Sequence, residues 1–127
     1  MSFPFDPHGH LIVVPARIHG RDSREIVDLV LDTGATRTIV SREVAQSLGY
    51  DPATLGQWAR ITTGSGALSV PLLRVAKIEA LGKTATNLRI LCHSLPSRAA
   101  IDGVLGLDFL RGERLVIDFR AGLLALE

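Results

Sequence analysis

The sequence has little of several residue types, and each scarcity excludes a class of protein. One cysteine in 127 residues allows neither an intrachain disulfide framework nor a zinc site built from two or more cysteines of this chain. Lysine and arginine number 14 against 13 acidic residues, a net charge of +1, so the chain lacks the strong positive field of a nucleic-acid-binding domain. The apolar runs are too short to cross a bilayer, and the first residues lack the basic and apolar regions of a signal peptide. We therefore expect no nucleic acid partner, no membrane segment in this chain and a cytoplasmic location.

The remaining composition is typical of one folded domain. Hydrophobic residues make up 46% and charged residues 21%, which excludes a disordered chain. The length suits a single domain with its own core. Residues 1–10 contain two prolines and two histidines and are predicted to be an irregular N-terminal lead-in, followed by one domain over residues 11–127.

Short segments rich in valine, isoleucine and leucine dominate the chain, and glycine-containing turns separate them, which is typical of β-strands. Ser41 suits the N-cap of one short helix that ends near Gly49, and residues 106–112 suit one or two further helical turns. Because no strand alternates with a long helix, we predict an all-β barrel or sandwich. The predicted strands are residues 11–18, 26–31, 37–40, 59–63, 67–73, 75–80, 88–92, 114–119 and 123–126, with turns that carry Gly82, Pro96, Gly103 and Gly122.

Two short motifs carry most of the functional information. The apolar segment 26–31 ends abruptly at Asp32-Thr33-Gly34-Ala35, where the simplest role of the aspartate is to cap the turn after a strand. Much later, the apolar pair Val104-Leu105 is followed by Gly106 and a predicted helical turn.

Together the two motifs resemble those of the retropepsin-like aspartic proteases, the retroviral protease class and its single-domain bacterial relatives. In that family an apolar pair followed by Asp-[Thr/Ser]-Gly-[Ala/Ser] supplies the catalytic aspartate, and a later apolar-apolar-Gly segment passes beside the active-site loop. The resemblance covers residues 11–127. It implies a small closed β-barrel with one or two short helices, and an aspartic endopeptidase that uses no cofactor and no metal ion. Asp32 is then catalytic, Thr33, Gly34 and Ala35 support the active-site loop, and Val104, Leu105 and Gly106 lie beside it.

The chemistry implied by this resemblance needs two carboxylates that share one proton, as the aspartic protease pair does. One carboxylate acts as a base toward water while the other polarises the scissile carbonyl. Since the chain has a single Asp-Thr-Gly, we expect a two-fold homodimer that acts on a peptide or protein substrate. The interface is expected to include the loop 32–35 and a terminal strand such as 123–126.

A glycine-containing hairpin is the candidate flap over this site. Thr63, Gly64, Ser65 and Gly66 lie between two predicted strands, and a closing lid must move and offer backbone hydrogen bonds to an extended peptide. The alternative is an ordinary exposed hairpin. The chain also departs from the retroviral pattern at Thr36, Leu107 and Asp108, which do not match the acidic, basic and polar residues that form the retroviral dimer interface.

Two other functions and two other residue pairs are alternatives to proteolysis at Asp32. A retropepsin-like dimer with little or no activity, used for binding or scaffolding, is the main alternative, although nothing in the Asp32 loop is degenerate. An aspartyl phosphotransferase would need a second acid where Gly34 stands. His8 and His10 form too weak a pattern for a metal site, and Cys92 beside His93 is better interpreted as a buried, unreactive thiol.

Overall fold

A computed structural model describes residues 1–94 and 101–127; the predicted turn at Pro96 lies outside them. The chain is mostly β. The elements are β1 (Phe3–Pro4), β2 (Val13–His19), β3 (Arg24–Leu31), β4 (Ile39–Val40), α1 (Arg42–Ser47), β5 (Trp58–Thr63), β6 (Gly66–Ala80), β7 (Lys83–Cys92), β8 (Gly103–Leu105), α2 (Leu107–Leu110), β9 (Leu115–Asp118) and β10 (Leu123–Leu126).

Six strands form the closed barrel that was predicted, in the order β2-β3-β8-β4-β7-β6, with β6 pairing back onto β2. A seventh strand, β5, extends this sheet as a hairpin with β6, and β1, β10 and β9 form a separate small sheet.

Alternating burial along β2 and β3 builds one wall of the core. Val14, Ala16 and Ile18 are buried on β2, and Val27 and Leu29 are buried on β3, because successive side chains of a strand point to opposite faces. The remaining fully buried large side chains come from other parts of the chain and complete a single core cluster, among them Leu48, Leu73, Ile78, Ile90, Leu105, Phe109 and Leu124.

The first helix begins and ends where the sequence indicates. Ser41 is the N-cap of α1, and its Oγ accepts a hydrogen bond from the Val44 N–H at 3.2 Å. The helix stops before Gly49, as predicted, and α2 provides the second short helix within residues 106–112. None of the helices in the described ranges is long and apolar enough to cross a membrane.

One long strand replaces two predicted ones. The separate strands 67–73 and 75–80 are a single strand, β6, which bends from the hairpin with β5 into the barrel. Arg74 does not interrupt β6. Its side chain is exposed between buried Leu73 and Val75, so burial and exposure alternate through this position as they do in a strand.

The turn predicted at Gly103 is wrong, since Gly103 begins strand β8. A Cβ at this position would lie 2.0 Å from the Ile39 carbonyl oxygen. The glycine is therefore required by a close approach of two backbones and not by a turn.

The N-terminal lead-in is not wholly irregular, because Phe3–Pro4 pairs with Leu123 and Leu124 as an edge strand. Phe5 anchors this segment: it is buried and packs edge-on against Phe119, with ring centroids 5.5 Å apart. An apolar side chain in the lead-in thus provides the burial that orders it.

Candidate active site

Asp32 directly follows β3 and lies in a tight turn. Its N–H donates to the Leu105 carbonyl oxygen at 3.0 Å, and its own carbonyl oxygen accepts from the Ala35 N–H at 3.2 Å. The side chain is exposed, and Oδ1 accepts a hydrogen bond from the Gly34 N–H at 2.8 Å. The carboxylate therefore caps its own turn, as the simplest interpretation predicted, and also presents its second oxygen to solvent.

The loop that carries Asp32 is crossed by the segment around Gly106. Strand β8 lies between β3, to which it is parallel, and β4, to which it is antiparallel. The Leu107 N–H then donates to the Ala35 carbonyl oxygen at 2.8 Å. A Cβ on Gly106 would lie 2.8 Å from that same oxygen and 2.7 Å from the Arg37 carbonyl carbon, so only glycine fits where the two segments cross.

The two other residues of the second motif are structural. Leu105 is fully buried in the core, and Val104 is half-buried between Val30 of β3 and Ile39 of β4. Residues 104–106 therefore lie beside the Asp32 loop, where the Leu105 carbonyl oxygen accepts from the Asp32 N–H.

A buried hydroxyl, which was not among the predicted site residues, holds the two crossing segments together. Thr38 is completely buried, and its Oγ1 donates to Asp108 Oδ1 at 2.8 Å while accepting from the Gly106 N–H at 3.2 Å. Asp108 Oδ1 also accepts from the Thr38 N–H at 2.9 Å and from the Phe109 N–H at 2.9 Å. Asp108 therefore links Thr38 to the start of α2. The available signal was an acid two residues after the glycine of the motif.

A cleft of about 470 Å³ opens beside the Asp32 loop. The lining comes from residues 34–37 of the loop, from Ile39, from residues 59–62 of β5 and from Leu91. The loop and the stem of the β5–β6 hairpin therefore border the same cleft. Asp32 itself is not part of the lining.

The candidate flap is the hairpin of β5 and β6. Thr63 pairs with Gly66, which leaves Gly64 and Ser65 as the two residues at its tip. Gly64, Ser65 and Gly66 are exposed, and the cleft is lined by the stem of the hairpin and not by these three residues. The hairpin is confirmed, whereas closure of its tip over a substrate stays a prediction.

Other candidate features lie apart from this site. Cys92 is buried, and burial raises the pKa of its thiol despite the opposing charge of Arg42. A larger cavity, of about 580 Å³, lies between the N-terminal residues and the β6–β7 turn and contains none of the predicted site residues. Within residues 1–94 and 101–127, no three His, Cys, Asp or Glu side chains are grouped so that they could hold a metal ion.

Comparison with known proteins agrees with this geometry. A family model described as aspartyl protease matches residues 14–109, which is most of the chain. The crystal structure of a retropepsin-like aspartic protease from Rickettsia conorii is similar with a TM-score of 0.71 at 20% sequence identity, and the match covers 98% of this chain and 97% of that one. No curated protein sequence matches the chain. The match to the family model, which includes both the Asp32 loop and the crossing segment, shows that the chain belongs to the aspartyl protease family, and its fold is retropepsin-like.

Proposed function

We propose that this chain is an aspartic endopeptidase whose catalytic pair consists of Asp32 from each subunit of a homodimer. The observation that carries the proposal is the exposed Asp32 carboxylate, held by the Gly34 N–H at 2.8 Å in a loop that Gly106 crosses. Family membership supports the same activity. Thr33 and Ala35 complete the loop, and we propose for them the supporting role that the resemblance implies.

The catalytic pair works by moving one shared proton. One Asp32 carboxylate accepts a proton from a water molecule, whose oxygen attacks the scissile carbonyl carbon, while the protonated partner donates to the carbonyl oxygen. The tetrahedral intermediate then collapses: one of its hydroxyl groups returns a proton to the partner carboxylate, the C–N bond breaks, and the departing nitrogen takes up the proton held by the first carboxylate. The pair is thereby restored with one shared proton. The Gly34 N–H keeps Oδ1 in place, so Oδ2 is free to face the water or the substrate.

The single chain is incomplete for this chemistry, which supports the dimer. It supplies one Asp-Thr-Gly, and its Asp32 lies outside the lining of the adjacent cleft. Ile12 lies beside Leu31, since the Leu31 N–H donates to the Ile12 carbonyl oxygen at 2.8 Å, and the preceding Leu11 is 46% exposed. An exposed carboxylate and an exposed leucine at this end of β3 suit a two-fold axis that passes near the loop.

The terminal strand, β10, is less suited to the subunit interface than was predicted from the sequence. β10 lies between β1 and β9 within one chain, and both of its edges are paired at Leu123 and Leu124. A second subunit would find few free backbone groups on this strand. We therefore propose the 32–35 loop and Leu11 as the main contact between subunits.

Cleavage of a peptide library by wild type and by Asp32→Asn, side by side, tests the function. Asparagine keeps the shape of the side chain but cannot act as the base, so the variant should be inactive while remaining folded and dimeric. Activity that survives the substitution would show that Asp32 is not catalytic. A wild type that dimerises and binds peptides but cleaves none would instead support the binding or scaffold module.

A further inference from the structure

We infer that the cleft selects substrates with an acidic side chain close to the scissile bond, and that Arg37 and Arg60 bind this side chain. The inference rests on the proposed function, since it assigns the substrate class of the same site. The two arginines line the cleft from different segments: Arg37 follows the Asp32 loop, and Arg60 lies on β5 in the stem of the hairpin. They are the only charged residues among those that line the cleft in the described part of the chain.

Neither guanidinium is paired with an acidic side chain of the described residues. Within residues 1–94 and 101–127, no carboxylate forms an ion pair with Arg37 or Arg60. The carboxylate of Asp108, on the crossing segment, accepts hydrogen bonds from Thr38 and Phe109 instead. Since arginine is always charged and presents five N–H donors, both side chains retain donors for a ligand.

Arg37 is held in position for such a ligand. Its Nη1 donates to the Arg89 carbonyl oxygen at 3.1 Å, and the residue is half-buried. A guanidinium fixed through one nitrogen loses less freedom when the other nitrogens bind a carboxylate, and Arg–carboxylate pairs are often bidentate.

The surroundings of the cleft reinforce its positive charge. Arg89 lies two residues before Leu91 on β7, so the two side chains share one face of the strand. Leu91 contributes to the lining of the cleft. Arg74 lies directly opposite Arg89 in the β6–β7 ladder, an arrangement of like charges that costs stability when nothing compensates it.

Apart from Asp32 itself, acidic residues are missing from the stretches of sequence that line the cleft. The sequence contains no Asp or Glu from Thr33 to Arg42, from Pro52 to Ile78 or from Thr84 to Ser94. The chain as a whole has nearly equal numbers of acids and bases. The arginines around the cleft are therefore a local concentration of one sign, and a cleft of one sign attracts ligands of the opposite sign.

The test uses peptides that differ at a single position. Glu, Gln or Lys is placed in turn at each position flanking a site that wild type cleaves, and kcat/KM is measured for each peptide. We expect the best Glu peptide to exceed its Gln counterpart by about tenfold, the size of one charge-assisted hydrogen bond, and the Lys peptide to be the poorest. The Glu preference should fall as ionic strength rises, because salt screens an exposed pair.

Three variants locate the preference. Arg37→Gln and Arg60→Gln should each bring the Glu-to-Gln ratio toward one. Arg24→Gln is the matched control and should leave the ratio unchanged. Arg24 is an exposed arginine at the start of β3, whereas Asp32 follows the last residue of that strand. Should Arg37→Gln fail to fold, Arg60→Gln and the salt dependence of wild type still decide the question.

The outcomes distinguish a failure of this inference from a failure of the proposed endopeptidase function. If wild type cleaves no peptide, or Asp32→Asn cleaves equally well, the proposed function is wrong, and fluorescence anisotropy of the same peptides with Asp32→Asn then reports the charge preference by itself. A Glu-to-Gln ratio of one or less, or a ratio that persists in both arginine variants, would overturn the inference while leaving proteolysis intact.

Discussion

Thr38 and Asp108, seventy residues apart in the sequence, are joined by a hydrogen bond from the Thr38 hydroxyl to Asp108 Oδ1 at 2.8 Å and by the Thr38 N–H, which donates to both carboxylate oxygens at 2.9 and 3.0 Å. The same hydroxyl accepts from the Gly106 N–H. The pair therefore connects the segment after the Asp32 loop to the segment that crosses it. The first two predictions below test how this crossing is held.

Asp108→Ala should destabilise the fold by about 1–3 kcal/mol, because it leaves buried donors of Thr38 without an acceptor. Thr38→Val removes the hydroxyl with little change of shape and should cost a similar amount. Urea unfolding of both variants and of the double variant measures the coupling between them. Strictly additive losses would show that the two residues do not act together.

Gly106→Ala should destabilise the protein by about 3 kcal/mol or prevent folding, because the backbone atoms around Gly106 cannot move away from an added methyl group without distorting the fold. The new Cβ would lie 2.7–2.8 Å from backbone atoms of Arg37 and Ala35. Gly56→Ala is the control, because a Cβ there meets nothing within 4 Å and should change stability by about 0.5 kcal/mol or less. Thermal unfolding compares the two, and equal losses would contradict the steric role of Gly106.

Mixing subunits tests whether both Asp32 carboxylates are needed. Wild type and Asp32→Asn are combined in equal amounts, dissociated by dilution and allowed to reassociate. Random pairing leaves about one quarter of the dimers with two aspartates, so activity should fall to half of that of the same wild type assayed alone. Activity that stays at the wild-type value would argue against a shared site. Sedimentation over a range of concentrations provides the independent measure of the dimer.

Cys92 should resist alkylation in the folded protein. Its side chain is buried, and burial raises the pKa of the thiol, so little reactive thiolate forms at neutral pH. Iodoacetamide labelling followed by mass spectrometry should show slow modification of native protein and rapid modification in denaturant. Rapid labelling of the native protein, with catalysis lost in step, would instead return Cys92 and His93 to the list of candidate catalytic residues.

Glu79 should make the fold less stable in acid. Burial by itself raises the pKa of Glu79, but hydrogen bonds from Lys77 and His19 outweigh it and hold the pKa below its usual value; Arg17 lies 3.8 Å from the same carboxylate. A carboxyl whose pKa is lowered on folding stabilises the protein above its unfolded pKa, and this contribution is lost as pH falls through the folded value.

Glu79→Gln provides the measurement for that prediction. The difference in unfolding free energy between wild type and the variant should be largest near neutral pH and should shrink as pH drops below the usual range of a glutamate. A difference that is constant with pH would show that the charge of Glu79 contributes nothing.

Features that depend only on neighbours along the chain could be predicted from the sequence. The apolar strand that ends at Asp32, the hairpin around Gly64 and the Ser41 cap of α1 all follow from local alternation, turn chemistry and capping, which act over a few residues. The Asp32 motif and the glycine of the second motif also predicted the family and the closed barrel, because each residue type meets a requirement of the loop that few others meet.

Contacts between residues far apart in the chain are set by closure of the barrel and are not visible in local patterns. Gly103–Leu105 is inserted between two strands. Thr38 is hydrogen-bonded to Asp108, and Arg37 and Arg60 line the same cleft. Local patterns carry no information about such pairs: a glycine suits a turn as well as a close backbone approach, and an aspartate suits a helix cap as well as a buried hydrogen bond. Which role each residue takes is set by the partner that closure of the barrel places against it.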